Sequence, residues 1–149
     1  DLALAGAEAV QAARSGAGHI ATLIVPANHA WEPAERSYDR LQPEPLATVP
    51  EASIAAAAAA LTNGKRTAIV VGGGALREGP LTLAGRIAAG CNATLLCETF
   101  PVRVERGAGR VPFARIPYFA EQAIEFLKDL EQMILIGTQQ PVAFFAYPG

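Results

Sequence analysis

Three consecutive glycines, Gly72, Gly73 and Gly74, follow directly on the apolar run 67–71 (TAIVV). A strand that runs straight into such a turn marks the place where open α/β sheets bind ligands, since the carboxyl ends of parallel strands open into a crevice. Glycines there let a backbone come close to a phosphate or a ribose. Gly72, Gly73 and Gly74 are therefore the candidate cofactor-binding residues. The dinucleotide fingerprint is incomplete, however. Arg77 stands where its third glycine belongs, and the next helix starts too late to aim its N-terminus at a pyrophosphate. Glu98, at the end of the following strand, takes roughly the place of a ribose-binding acid. A bare turn that needs positive φ accounts for the same glycines equally well.

A second group is the loop 98–117, which carries Arg103, Arg106, Arg110 and Arg115. Guanidinium forks suit phosphate and carboxylate. Their spacing is irregular and Glu98 and Glu105 offset part of the charge, which favours a solvated loop. The length of the loop still leans toward function. His19 and His29 flank the run 20–25 at opposite ends and cannot share a metal in one turn. A triad of Ser37, His29 and Asp39 is rejected, because no nucleophile elbow is present and all three lie in or beside a linker. Cys91 and Cys97 lack the companions of a zinc site and read as small, buried or half-buried free thiols. No complete catalytic set and no metal-ligand set is present.

The elements that position these residues follow from pattern. Apolar positions Leu2, Ala5, Ala9, Val10 and Ala13 predict a helix over 2–14. Residues 20–25 (IATLIV) predict a strand covered on both faces. Pro33, Pro43, Pro45 and Pro50 then make 32–50 an extended, semi-stiff linker. Beyond it, an alanine-rich helix over 53–61 is closed by Asn63-Gly64. Strands are predicted over 67–71, 93–97 and 133–136, with helices over 80–89, opened by Pro80 and closed by Gly90, and over 119–130. The alternation gives an α/β fold: a Rossmann-like parallel sheet with helices on both faces, preceded by a helix–strand remnant of another α/β domain. The three later strands should be neighbours in one sheet, and 20–25 should belong to a different one. The only methionine is Met133, so the chain reads as an interior piece of a longer protein.

Composition limits the function classes. The 149 residues include 12 Lys+Arg and 14 Asp+Glu, a net charge of −2, which argues against nucleic acid as a partner. With 51% hydrophobic and 17% charged residues, a disordered chain is excluded. No apolar run reaches the roughly 18–20 residues that span a bilayer, so no membrane partner is expected.

The stretches SGAGHIATLIVPANHAWEPA, GKRTAIVVGGGALREGPLTLAGRIAAG and LLCETFP resemble thiamine-diphosphate-dependent enzymes of the acetolactate synthase large-subunit type. The tail RIPYFAEQAIEFLKDLEQMILIGTQQPVAFFAYPG is similar to members of that group near the 2-oxo-acid decarboxylases. By this resemblance, residues 1–31 are the end of the pyrimidine-binding domain, 32–50 a linker, and 51–149 most of the central Rossmann-like domain. The catalytic glutamate and the motif that binds diphosphate and Mg²⁺ have no counterpart in these residues. The resemblance implies thiamine diphosphate and Mg²⁺ bound outside this chain, a small-molecule 2-oxo acid as substrate, a homo-dimer or homo-tetramer, and a cytoplasmic location. The cofactor would serve as electron sink for carboligation or decarboxylation, with this stretch as non-catalytic scaffold. Acetolactate synthases also bind FAD in the central domain. Ala17, and residues 116–119 in place of the family's usual segment, depart from that pattern and put FAD in doubt. The alternative is a stand-alone nucleotide-binding Rossmann-like module.

Overall fold

A computed structural model describes residues 1–34, 36–143 and 145. The end of the tail motif, residues 144 and 146–149, lies outside the described residues. The chain divides into two compact units, Asp1–Val49 and Pro50–Gly149.

In the first unit, helix α1 (Leu2–Arg14) starts at Asp1, whose carboxylate accepts the Ala3 N–H at 2.9 Å. This satisfies one of the amides that a helix start leaves without a partner. The helix stops where Ser15 turns extended, and the Ser15 hydroxyl donates back to the Gln11 carbonyl at 2.8 Å. The proline-rich segment has no regular element, as ring-fixed φ and missing donors dictate. It is fastened along α1 nonetheless. Tyr38 donates to Asp1 at 2.9 Å, the Gln11 amide to the Gln42 carbonyl at 2.7 Å, and the Gly16 N–H to the Glu44 carbonyl at 2.9 Å.

Residues 20–25, expected as a strand, form none. They are exposed, Ile20 to 99% and Ile24 to 86%. A helix satisfies its own amides, whereas a strand exists only through a neighbour that supplies the ladder. The β-branched run has the propensity, but no strand of the described residues pairs with it.

The second unit opens with α2 (Glu51–Thr62), an alanine helix that ends at Asn63, with Gly64 at φ 80°. Then follow β1 (Thr67–Val71), a 3-10 turn (Gly73–Leu76), α3 (Glu78–Cys91), β2 (Thr94–Cys97), β3 (Ala114–Arg115), α4 (Ala120–Leu127) and β4 (Gln132–Ile136). The four strands make one parallel sheet in the order β3-β2-β1-β4. The three expected strands are thus neighbours, with β1 in the middle. Ile69 pairs with Leu95 on one side and Ile134 on the other.

Both sheet faces are covered over β1 and β2, whereas β3 and the end of β4 stay exposed. Ile69, Val71, Leu95 and Cys97 pack against Leu76, Leu81, Ala84 and Ala88. Ala68, Val70 and Leu96 meet Ile116, with Ala123 and Leu127 of α4 against them. This is why the strands read as unbroken apolar runs rather than alternating ones.

The helix over 53–61 and the strands over 93–97 and 133–136 move by one or two residues, and the boundaries of α3 and α4 move for visible reasons. Helix α3 starts at Glu78, so Pro80 sits inside its first turn, where an amide has no helical partner anyway. Gly90 lies within α3, and the stop is Asn92, left-handed at φ 53°. Asparagine tolerates that region where most side chains clash. Helix α4 is shorter than 119–130, because its end tightens into an i→i+3 bond from the Leu130 N–H to the Leu127 carbonyl. Strand β3 went unforeseen inside the arginine loop, since two residues show no periodicity. Among the described residues no helix is long and apolar enough to cross a membrane.

Candidate functional site

In the order β3-β2-β1-β4 the chain leaves β1 toward β2 on one side and returns to place β4 on the other. The crevice of a doubly wound sheet lies at that switch, beyond the carboxyl ends of β1 and β4. Gly72, Gly73 and Gly137-Thr138 form it. The Gly72 N–H donates to the Ile136 carbonyl at 2.9 Å and so ties the two strand ends together. A cavity of about 320 Å³ opens there, lined by Glu98, Phe100, Thr138 and Gln140 among others.

Glu98 does not stand free at this crevice as a ribose-binding acid would. Its carboxylate accepts the Gly73 N–H at 3.2 Å and the Thr138 hydroxyl at 3.0 Å. The latch explains Gly72: a Cβ there would lie 2.6 Å from Glu98 Oε1 and 2.7 Å from Thr138 Cβ. Gly73 holds φ 49°, in the left-handed region. Of these three glycines, only Gly74 would have a Cβ that meets nothing within 4 Å. Two of the three candidate glycines therefore have a conformational reason in the fold itself.

The N-terminus of α3 is also occupied. Glu105, from the arginine loop, accepts the Glu78 N–H at 2.9 Å. A carboxylate suits the positive end of a helix. Arg110 lies 2.6 Å from Glu78 and 3.6 Å from Glu105, and Arg103 lies 3.7 Å from Glu105. The hydrogen bond to Glu78 holds the Arg110 guanidinium above its ordinary pKa. A loop expected to be solvated is thus pinned to the helix start by ion pairs, and Val104, Val111 and Phe113 pack against the core from it.

Arg106 and Arg115 take no part in that network. Both line a cleft of about 860 Å³ beyond the ends of β2 and β3, together with Cys97, Phe100 and Phe113. Arg115 is placed by strand pairing, opposite Cys97, and Arg106 lies over the Phe113 ring at 5.1 Å from its centroid. At the inner end of the cleft, burial pushes the Cys97 thiol above its ordinary pKa, Arg106 and Arg115 pull it down, and Glu98 adds to the rise.

Cys91 and Cys97 are free thiols, half-buried and buried respectively. Alkylation of the native protein with iodoacetamide should modify Cys91 well before Cys97, as the thiolate is the reactive form and Cys97 is both covered and held neutral. Mapping of labelled peptides against time checks this, and equal rates would mean that the inner end of β2 is open to reagent. His29, Ser37 and Asp39 make no hydrogen bonds with one another. Among the described residues no cluster of His, Cys, Asp or Glu could hold a metal ion.

The chain is 40% identical, over 145 residues and 97% of its length, to IlvX of Mycobacterium tuberculosis, a protein described as an acetolactate synthase large subunit. The match covers both units, so the resemblance to acetolactate synthase large subunits holds along nearly the whole chain. The chain spans only 28% of that relative's length. No family model matches the chain, and no solved structure matches it significantly.

Proposed function

We propose, with the likeness to acetolactate synthase large subunits as premise, that the intact protein is a thiamine-diphosphate-dependent enzyme acting on a 2-oxo acid. Its reaction would be an acetolactate-synthase-like carboligation or a decarboxylation. The observation that carries this reading is the continuity of the likeness across both units, since a shared sheet alone would account for only the second. In this reading residues 1–31 end the pyrimidine-binding domain, 32–50 form a linker and 51–149 make most of the central domain. The protein would be a cytoplasmic homo-dimer or homo-tetramer.

Thiamine diphosphate supplies an electron sink when bound. The described residues do not suit its Mg²⁺-diphosphate group. That cation is held by carboxylates and phosphate oxygens. The carboxylate nearest a glycine turn, Glu98, is spent on Gly73 and Thr138. The role we assign this chain is that of scaffold, with cofactor and chemistry lying outside it.

The flavin of the family does not suit these residues either. A dinucleotide diphosphate would draw on the glycine-turn amide and the start of the next helix. Glu98 accepts the first and Glu105 caps the second. The same two carboxylates weigh against a stand-alone nucleotide-binding module.

The test is an assay of the purified intact protein with pyruvate as the 2-oxo acid. Turnover should require both thiamine diphosphate and Mg²⁺, and the protein should carry no stoichiometric flavin by its visible absorbance. Turnover that persists without thiamine diphosphate would refute the reaction class. A yellow protein with one flavin per chain would refute the account of Glu98 and Glu105.

A further inference from the structure

We propose that the cleft beyond the ends of β2 and β3 is an anion-binding site, with Arg106 and Arg115 as its donors and a phosphate-bearing small molecule as its ligand. This inference does not rest on the thiamine reading, because it uses only charge and geometry within the second unit.

The four arginines of the loop divide into two pairs. Arg103 and Arg110 are neutralised by Glu105 and Glu78. Arg106 and Arg115 have no carboxylate partner among the described residues, and they border the same cleft of about 860 Å³. The carboxylate that could have compensated them is Glu98, next in sequence to Cys97. It is turned instead onto the Gly73 N–H and the Thr138 hydroxyl. The carboxyl edge of the sheet therefore has two halves of opposite character. The β1–β4 half is closed by an internal carboxylate, and the β2–β3 half keeps two uncompensated guanidiniums.

Neither arginine hangs on an unplaced loop. The backbone of Arg115 is set by its parallel pairing with Cys97, and the next residue, Ile116, is buried and donates its N–H to the Cys97 carbonyl at 3.1 Å. Arg106 is held against the face of Phe113, which itself packs on the core. Such seating leaves less rotamer freedom to be lost when a ligand binds.

Two guanidinium forks match a ligand with several oxyanion charges, and their planar donors fit phosphate oxygens in pairs. A single carboxylate can bridge two guanidiniums, as Glu105 does between Arg103 and Arg110, but it brings one charge against two. The wall contributed by Phe100, 58% exposed, provides apolar surface for the remainder of a phosphorylated molecule.

The test uses the intact protein and inorganic pyrophosphate as probe. Phenylglyoxal labelling mapped by mass spectrometry should show pyrophosphate protecting Arg106 and Arg115 while leaving the labelling of Arg103 and Arg110 unchanged. In calorimetric titration the double variant Arg106→Gln, Arg115→Gln should lose affinity by about tenfold or more, given the strength of charge-assisted hydrogen bonds. Arg103→Gln, which alters a residue already paired with Glu105, should keep the affinity. Both cleft arginines are exposed, so an unchanged melting curve for the double variant would show that the fold is intact. Equal labelling with and without pyrophosphate, or unchanged affinity in a folded double variant, would overturn the site. Malonate protecting as well as pyrophosphate would overturn the assignment of phosphate as the ligand class.

Discussion

Replacing Gly137 by alanine is expected to destabilise the second unit by about 2–4 kcal/mol. Gly137 ends β4 at φ 65°, and a Cβ there would lie 2.7 Å from the Gly72 carbonyl oxygen. The left-handed backbone alone costs an ordinary residue about 1–2 kcal/mol. The clash adds to it, because the atom struck is backbone rather than the far end of a side chain that could swing away. Relief would require the ends of β1 and β4 to part, which strains the 2.9 Å bond from the Gly72 N–H to the Ile136 carbonyl. Hydrogen exchange of peptides covering β1 and β4 reads this locally, without treating a two-unit protein as a single transition. Exchange through unfolding of this unit should accelerate by about 30-fold or more. Gly74→Ala is the control, since its Cβ would meet open space. If the two variants exchange alike, the close approach of the strand ends is not what holds the switch point together.

Ile69→Ala should cost about 2–5 kcal/mol, the range for truncating a buried branched side chain and leaving a cavity. Ile69 is 1% exposed and sits in the central strand, packed with Val71, Leu76, Leu81 and Leu95. Paired on both sides, β1 can shift toward neither neighbour to close the gap. The contrast is Ile124→Ala. Ile124 is 70% exposed on α4, and the described residues offer it little to lose. Urea unfolding followed by hydrogen exchange of the β1 peptide should separate the two variants clearly. A cost for Ile69→Ala below about 1 kcal/mol would mean that the face covered by α3 is not close-packed.

These two positions differ in how openly the sequence displays them. Ile69 announces itself within an apolar run, because a strand covered on both faces has no polar side to show. Gly137 was visible only as a glycine after a strand. Its need for positive φ and its approach to Gly72 depend on β4 lying beside β1, 65 residues away in register. The same distinction governs the candidate site. That Gly72, Gly73 and Gly74 stand at a strand's carboxyl end follows from local pattern. That Glu98 would latch onto Gly73 and Thr138, and Glu105 cap the Glu78 amide, does not, as these partners are 25, 40 and 27 positions apart.

By itself, the sequence determined the α/β class, three of the four strands, the helices between them and the resemblance to acetolactate synthase large subunits. All of these are written in short windows of residues, where periodicity, helix propensity and stop signals act on the chain's own neighbours. Tertiary structure alone decided the rest. It gives residues 20–25 no strand partner among the described residues, so their β-branched run forms no strand there. It drew residues 114 and 115 into the sheet beside β2. It also sorted four similar arginines into two that are paired with carboxylates and two that face an open cleft. The physical reason is common to all three. Strand pairing and charge compensation are two-body interactions, and which partner arrives is set by the crossovers of the fold rather than by the residues on either side.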